Sequence, residues 1–385
     1  MPYLAVNQVD DFLESVKHKY VLKKWKDISM NLQEYLFASR LFSKAGPDEM
    51  EGDLVTWRLQ VAYNDTFTFT GLYADDVTKR QDLLTHGSMS WSMNTSNYTY
   101  DTKEKVFRTG PVEIIDYMLT LEHSMYNSYF AGMEKAMFGT GPTSPTQSKP
   151  PPTSLLWWIQ PYSTSTTSPT GGNGANTGNY VLPTGATSGF WGMDPYGFSG
   201  VGTGGISRVS YSGWRNRVGQ YTTFSEDDAV DTIIECMDKC GFKNAHKYPD
   251  LANSERPKYE LLTTYATVKK ARKLLQIGND NIRNALDTWK IDAPMVRSAP
   301  MIWVPAWSNQ EFGVPRTDGI VLGVDWSTFH YYSAAGLRQV RNAVYQDKDK
   351  HSVRWQTMDD SGQLVCYDCR RNFAVNSTAT VTEQD

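Results

Sequence analysis

The sequence predicts an α+β protein in which a long helix packs against extended strands. Three observations lead to this prediction. Residues 54–100 alternate like a two-stranded β-ribbon, residues 111–138 repeat apolar side chains at helical spacing, and strand-like segments recur between 301 and 375. The chain of 385 residues is 40% hydrophobic, which is enough to bury a large core.

Residues 1–50 form a predicted N-terminal arm with two short amphipathic patterns. Acidic residues such as Asp10 and Glu14 stand where a secretory signal needs an apolar run. No segment approaches the roughly 20 apolar residues of a membrane span. We therefore expect a protein that folds in the cytoplasm and has no membrane partner.

Residues 51–108 form a predicted extended loop, the β-ribbon, with arms at 54–70 and 88–100. Arms of about fifteen residues would reach roughly 50 Å at about 3.3 Å per residue, which is longer than a domain accommodates. An isolated two-stranded ribbon is marginal in water. We therefore expect its apolar face, including Trp57 and Trp91, to pack on another molecule.

The ribbon tip, residues 71–86, carries charges of both signs. Lys79 and Arg80 lie there near several aspartates. Such a projecting loop suits contacts between molecules, and a solvated loop explains the same composition equally well. Lys79 and Arg80 are therefore candidate inter-subunit contacts.

Residues 109–154 contain the best-defined element, a predicted spine helix. Thr109 is placed to cap it, Pro111 suits its first turn, and Gly139 stops it. At 1.5 Å per residue this helix is roughly 40 Å long.

Residues 155–335 begin in a stretch rich in Gly, Ser, Thr and Pro, interrupted by a strand candidate at 155–159. Two helices follow, one capped by Ser225 and one from about 264 to 277. Strands then precede the last region, residues 336–385.

That last region is predicted to contain a strand pair, 351–358 and 363–375. The Asp-Asp-Ser-Gly sequence at 359–362 is typical of a hairpin turn. The pair is expected to close a sheet.

Motifs of catalysis and ligand binding are missing from the sequence. The six histidines are scattered, no Gly-x-Ser-x-Gly occurs, and the glycines of 197–205 lack a following Gly-Lys-Ser/Thr. A net charge of −4 argues against a dedicated nucleic-acid binder. The sequence therefore predicts no catalytic residue, no cofactor and no metal, and favours a structural protein over an enzyme.

Four cysteines are too few for a disulfide scaffold at this length. Cys236 and Cys240 are one helical turn apart, while Cys366 and Cys369 are expected on opposite faces of a strand. Buried thiols are therefore favoured, with a four-cysteine zinc enzyme as the lesser alternative.

The order of arm, ribbon, long helix, loop-rich α/β region and closing strands resembles the major capsid proteins of tailed bacteriophages. Two stretches are similar at residue level: Gly204-Gly205-Ile206 ahead of Trp214-Arg215-Asn216, and the endings 319–325 and 364–376. The resemblance implies the HK97-like capsid fold, with an N-terminal arm, an extended loop, a spine helix, and peripheral and axial domains.

The resemblance also implies a function. A major capsid protein of this kind forms hexamers and pentamers of an icosahedral shell around double-stranded DNA, located in the virion after assembly in the host bacterial cytoplasm. Its partners would be many copies of itself, a portal, scaffolding or decoration proteins, and packaged DNA in weak non-specific contact. Residues 109–154 and 336–385 would form the peripheral domain, and residues 155–335 would be the axial domain. Trp214 and Arg215 would join the inter-subunit contacts. Some members crosslink a Lys to an Asn, but no partner for Lys79 is recognisable, so no crosslink is predicted.

A protein of another functional class is an alternative interpretation of the sequence. The 12 Trp, 22 Tyr and Ser/Thr-rich loops also suit a secreted or surface-attached carbohydrate-binding β protein. The missing export signal and the spine helix count against it. Glycan binding by an isolated monomer would favour it.

Overall fold

The computed structural model describes residues 35–42, 48–60, 69, 84–103, 111–139, 151–159, 214, 216–240, 259–278, 294–297, 299–308 and 319–377. The described strands are β1 (Asp48–Met50), β2 (Leu54–Gln60), β3 (Leu84–Ser90), β4 (Ser92–Asp101), β5 (Arg217–Tyr221), β6 (Tyr259–Thr263), β7 (Met295–Val296), β8 (Ala299–Trp303), β9 (Val321–Asp325), β10 (Phe329–Ala334), β11 (Val340–Arg341), β12 (Tyr345–Gln346), β13 (Val353–Cys366) and β14 (Phe373–Ser377). The described helices are α1 (Pro111–Phe138), α2 (Leu155–Trp158), α3 (Asp231–Lys239), α4 (Tyr265–Gly278) and α5 (Pro305–Ser308).

The first sheet is organised around β13, which is 14 residues long. One edge of β13 pairs with β4, and the other edge pairs in turn with β12, β11 and β10. The predicted hairpin turn at 359–362 is wrong, because these residues lie inside β13. Their acidic side chains find donors there: Asp359 accepts from the Thr95 hydroxyl at 2.7 Å and Asp360 from the Tyr129 hydroxyl at 2.7 Å.

The second sheet has the strand order β5-β14-β9-β6-β8-β7. The predicted strand 363–375 is therefore divided, since its first part belongs to β13 and its last part to β14 of the other sheet. A 3₁₀ turn, Cys369–Arg371, separates the two, and the Asp368 side chain caps it by accepting from Arg370 N. The prediction of a pair closing one sheet is thus wrong.

The ribbon pairs β2 with β3, from Leu54 opposite Ser90 to Gln60 opposite Leu84. The predicted second arm, 88–100, is mostly wrong, because β4 leaves the ribbon and pairs with β13. Trp91 lies at this change of partner, where its indole Nε1 donates to the Gly52 carbonyl at 2.8 Å. Apart from Phe69, residues 61–83, which include the end of the first arm and most of the tip, lie outside the described residues.

The spine helix is confirmed as α1, 28 residues from Pro111 to Phe138. Its described buried side chains, mostly at helical spacing, are Met118, Met125, Tyr129, Met133, Glu134, Met137 and Phe138. The second predicted helix is likewise confirmed as α4.

Two local predictions fail. The strand candidate 155–159 is the short helix α2, because Ser154 Oγ accepts from Trp157 N at 3.0 Å and caps a helical turn. Ser225 makes no side-chain capping bond, and a π-helical turn precedes α3. The Asp228 carboxylate makes the side-chain hydrogen bonds at this helix start instead, accepting from Thr222 N and Thr223 N at 2.9 Å each.

The buried side chains form two clusters. The larger joins the first sheet, α1, α2 and the ribbon base to one face of the second sheet, and the smaller lies between the other face of the second sheet and helices α3 and α4. The chain passes between the sheets at a 3₁₀ turn, Trp326–Thr328, and again at Cys369–Arg371.

Candidate assembly surfaces

The ribbon base is built around Trp57, whose side chain is 3% exposed. Its cross-strand partner is Gly87, and a Cβ atom added there would lie 2.4 Å from the indole ring. The indole thus lies directly over the glycine. At the base, this apolar face packs on the chain's own core, because Val55, Trp57 and Met89 are buried within the chain itself.

Four tryptophans fasten this base to the core. Trp158 is central, with its ring centroid 6.0 Å from that of Trp57, 5.1 Å from Trp157 and 6.1 Å from Trp214. Its indole Nε1 donates to the Leu364 carbonyl of β13 at 3.1 Å. Trp214, a candidate inter-subunit residue, therefore contributes to the chain's own core.

Hydrogen bonds complete the attachment. Gln363 Nε2 donates to the Ser90 carbonyl at the end of β3 at 3.0 Å, and Gln363 Oε1 accepts from Thr153 N at 2.8 Å. A buried amide with satisfied partners holds one geometry. The ribbon therefore starts from a rigid base on β13.

The six candidate contact residues are not brought together. Trp57, Trp91 and Trp214 pack against the chain's own core, whereas Lys79, Arg80 and Arg215 lie outside the described residues. Inter-subunit contact for all six stays a prediction.

Sequence reasoning missed the opposite face of the ribbon. Leu54 is half-exposed there, Leu84 is 68% exposed, and polar side chains lie between them. Phe69, farther along, is 95% exposed. The available signal was an apolar residue at each end of a face that otherwise alternates as polar.

A second exposed apolar group lies on β11, β12 and the turns beside them: Leu337, Val340, Val344 and Tyr345. The Tyr345 ring lies 5.1 Å from that of Trp355 across the strand pair. Arg341, from the opposite face of β11, pairs with Glu122 of α1 at 2.5 Å. The helix thus supports a loop region whose apolar side chains face solvent.

The N-terminal arm is attached to the spine helix through Glu134. Its buried carboxylate accepts from Leu36 N at 3.1 Å and Phe37 N at 2.8 Å, at the start of a short helical turn. A carboxylate is favoured there by the partial positive charge of a helix N-terminus. Burial and the nearby Glu134 raise the pKa of Tyr35.

A second buried carboxylate, Asp360, joins α1 to the first sheet. It accepts from the Tyr129 hydroxyl at 2.7 Å, more weakly from the Tyr331 hydroxyl at 3.4 Å, and from Gln339 N at 3.3 Å. Burial raises the pKa of Asp360, and the Tyr129 hydrogen bond opposes that shift. The group is structural, because its partners hold three elements together.

The cysteines do not form a metal site. All four are buried and unpaired, and the described residues contain no group of three or more His, Cys, Asp and Glu side chains suited to a metal. Cys366 and Cys369 were expected on opposite faces of a strand, which is wrong, since their sulfurs are 4.0 Å apart across the 3₁₀ turn. Burial raises the pKa of Cys236 to about 12, so its thiol is a poor nucleophile.

Comparisons with known proteins identify the fold. Neither protein-family models nor curated protein sequences match the chain. Among solved structures, a chain of the cyanophage A-1(L) capsid asymmetric unit matches with a TM-score of 0.56 and 14% identity, over 93% of this chain and 97% of that chain. A native GTA particle capsid (TM-score 0.49, 10% identity, 94% and 96% covered) and the holo-SrpI encapsulin complex of Synechococcus elongatus PCC 7942 (0.47, 8%, 99% and 98%) are also similar.

The cyanophage match covers nearly the whole of both chains, so no large part of either lacks a counterpart. The chain therefore has the fold of a phage capsid protein, the HK97-like fold implied by the sequence. Within the described residues, no helix is both long and apolar enough to cross a bilayer.

Proposed function

We propose that this chain is the major capsid protein of a tailed bacteriophage. Its copies form hexamers and pentamers of an icosahedral shell around double-stranded DNA, and the protein resides in the virion after assembly in the bacterial cytoplasm. The observation that carries the proposal is the fold shared with the cyanophage capsid chain over 93% of this chain. The role is structural and not enzymatic.

The exposed side chains support assembly. Leu84 and Phe69 on the ribbon, and Tyr345 on the first sheet, place large apolar groups in solvent at separate points of the chain. Burial of apolar area contributes about 25 cal/mol per Å², so copies that cover these groups gain stability in each contact. Weak contacts that close into a symmetric shell become collectively strong.

The domains can be assigned on this proposal. The first sheet with α1 forms the peripheral domain, and the second sheet with α3 and α4 forms the axial domain. Four strands then lie in other domains than predicted, because β1, β4 and β10 belong to the first sheet, while β14 belongs to the second. Residues 35–42 end the N-terminal arm, and the portal, scaffolding or decoration proteins remain proposed partners.

Electron microscopy of the purified full-length chain tests the proposal. Closed shells or hexameric and pentameric rings are expected. A stable monomer at every concentration and salt, alone or with its genomic neighbours, would overturn it. Specific glycan binding by that monomer would support the carbohydrate-binding alternative instead.

A matched pair of variants sharpens the test. Leu84→Ser removes an exposed apolar side chain from the ribbon, and Gln60→Ser removes an exposed polar side chain from its cross-strand partner. Both should leave the unfolding free energy of the separated subunit within about 0.5 kcal/mol. Leu84→Ser should raise the concentration needed for assembly, while Gln60→Ser should not.

A further inference from the structure

Two of the buried cysteines lie beside each other at the junction between the two sheets. Cys366 is the last residue of β13, and Cys369 begins the 3₁₀ turn that leads to β14. Their sulfurs are 4.0 Å apart, and each side chain is at most 1% exposed. The structural role proposed above makes no use of this pair.

The surroundings of the pair hold the two sulfurs in place. The Cys366 thiol donates to the Thr328 hydroxyl at 3.8 Å and accepts from Asn372 Nδ2 at 3.8 Å. Thr328 belongs to the other 3₁₀ turn through which the chain passes between the sheets, and its carbonyl accepts from Tyr367 N at 2.9 Å. Both passages between the sheets therefore meet at these sulfurs.

The other two cysteines are arranged differently. Cys236 lies on α3, and Cys240 directly follows that helix, one helical turn later. Cβ atoms at this helical spacing are about 5–6 Å apart, whereas a disulfide needs about 3.5–4.5 Å. The Cys240 thiol donates instead to the Asn372 carbonyl at 3.6 Å. Cys236 and Cys240 therefore serve as an internal reference for buried thiols that are not placed to pair with each other.

We propose that Cys366 and Cys369 are a site of oxidative modification, which closes into a disulfide when the protein meets hydrogen peroxide. The peroxide O–O bond breaks, and one oxygen joins the first thiol as a sulfenic acid while the other leaves as water. The second sulfur then attacks the sulfenic sulfur, which forms the S–S bond and releases a second water. Two electrons thus pass from the sulfurs to the peroxide.

A single surface turn controls access to the pair. Burial raises the pKa of the Cys366 thiol, so its reactive thiolate is scarce while the turn is closed. Tyr367 and Asp368 are only partly buried and Arg370 is exposed, so a local opening of this turn brings the sulfurs to solvent. Oxidation is therefore expected to be slow and limited by this opening.

The compartment decides when the bond forms. Thiols stay reduced in bacterial cytoplasm, whereas the surroundings of a particle outside the cell are oxidising. This timing rests on the proposed function: the subunit folds and assembles with free thiols, and the bond forms after the particle leaves the cell. The bond then fastens the turn that joins the two sheets.

Peptide mapping tests the proposal. The purified full-length protein is reduced, freed of reductant, treated with dilute hydrogen peroxide, denatured, alkylated with iodoacetamide and digested with trypsin. Cleavage after Arg354 and Arg370 releases peptide 355–370, which contains both cysteines of the pair. This peptide should be two hydrogen atoms lighter than its reduced form and carry no alkyl group. Dithiothreitol added before alkylation should restore both alkylation sites.

The reference cysteines are read from the same digest. Cleavage after Lys239 places Cys236 and Cys240 in separate peptides, and both should remain alkylated after peroxide treatment. Cys369→Ser and Cys240→Ser are matched variants, since each removes one buried thiol. Cys369→Ser should abolish the lighter 355–370 peptide, whereas Cys240→Ser should form it at the wild-type rate. The wild-type map stands whether or not either variant folds.

The urea midpoint tests whether the bond fastens the turn. The oxidised wild type should unfold at a higher urea concentration than the reduced wild type, because the bond restricts the unfolded chain. This difference should vanish in Cys369→Ser. Its size is expected to be small, since the closed loop spans only the residues from Cys366 to Cys369.

Three outcomes overturn the inference: alkylation or irreversible oxidation of the pair in place of a disulfide, a disulfide that forms in urea but not in the folded protein, or equal urea midpoints of the two redox states. Electron microscopy keeps the two proposals separate. Normal shells whose 355–370 peptide is fully alkylated after peroxide reject only the disulfide. The disulfide in a chain that never assembles rejects only the capsid assignment.

Discussion

Gly87→Ala tests whether the ribbon base depends on the contact between Trp57 and a glycine. The added Cβ would lie 2.4 Å from the indole, more than 0.5 Å inside the 3.0 Å that real Cβ contacts essentially always exceed. The indole cannot easily retreat, because Trp158 lies against it with a centroid distance of 6.0 Å. Overpacking of this kind costs about 1–3 kcal/mol.

An opposing term must be included. Replacing glycine by alanine restricts the unfolded chain and stabilises by about 0.4–1 kcal/mol where the backbone allows it. The net expectation is a loss of about 1–2 kcal/mol in the unfolding free energy of the separated subunit. Urea denaturation followed by far-UV circular dichroism measures it. Ser88→Ala, on the opposite face of the same strand, should change stability by less than about 0.5 kcal/mol.

A double-mutant cycle isolates the contact. Trp57→Leu should itself cost several kcal/mol, on the order of 3, because it empties a buried site. In that background Gly87→Ala meets no ring and should become neutral or stabilising by about 0.4–1 kcal/mol. If Gly87→Ala costs the same with and without Trp57, or no more than Ser88→Ala, the reasoning fails.

Two further predictions concern the buried carboxylates. Glu134→Ala should leave Leu36 N and Phe37 N without their acceptor, lower the unfolding free energy by about 2 kcal/mol and speed hydrogen exchange in residues 35–42. Glu134→Gln should show a smaller effect. Equal exchange rates in the wild type and both variants would contradict the anchoring role. Because burial raises the pKa of Asp360 above its unfolded value near 3.8, its stabilising contribution is complete below that value and is lost as pH rises through the folded pKa. Asp360→Asn should therefore remove this fall in stability from urea midpoints measured as a function of pH. Tyr129→Phe deletes a hydrogen bond that lowers the pKa of Asp360, so it should move the fall to higher pH. Wild-type urea midpoints that do not fall as pH rises above 3.8 would refute the argument.

Local periodicity was enough to predict the helices with many turns. Residues 111–138 and 265–278 repeat apolar positions at helical spacing over three turns or more, so their identity does not depend on distant partners. Four apolar residues at 155–158 cannot distinguish a strand from a helix, and the cap from Ser154 decides the outcome.

Strand pairing was the part that sequence could not predict. The partner of β4 is more than 250 residues away, so the alternation of 88–100 indicates strands but not which strand they join. The Asp-Asp-Ser-Gly sequence at 359–362 suggests a turn until Thr95 and Tyr129 supply donors from other elements. The burial of Trp57 could not be predicted for the same reason, because the side chain that packs against it, Trp158, lies 101 residues later in the sequence.

The length of β13 restricts how this gene can diversify. Both edges of the strand are paired between 353 and 362, and Asp360 accepts a hydrogen bond from Tyr129 of α1. Insertion or deletion of a single codon within β13 would move every later side chain of the strand to the opposite face of the sheet. Asp360 would then point to solvent, or Gly362 would no longer lie against the Tyr331 ring, which occupies the position that a Cβ atom would take. Substitutions can accumulate along this strand, but reading-frame-preserving changes of length should be confined to other parts of the chain.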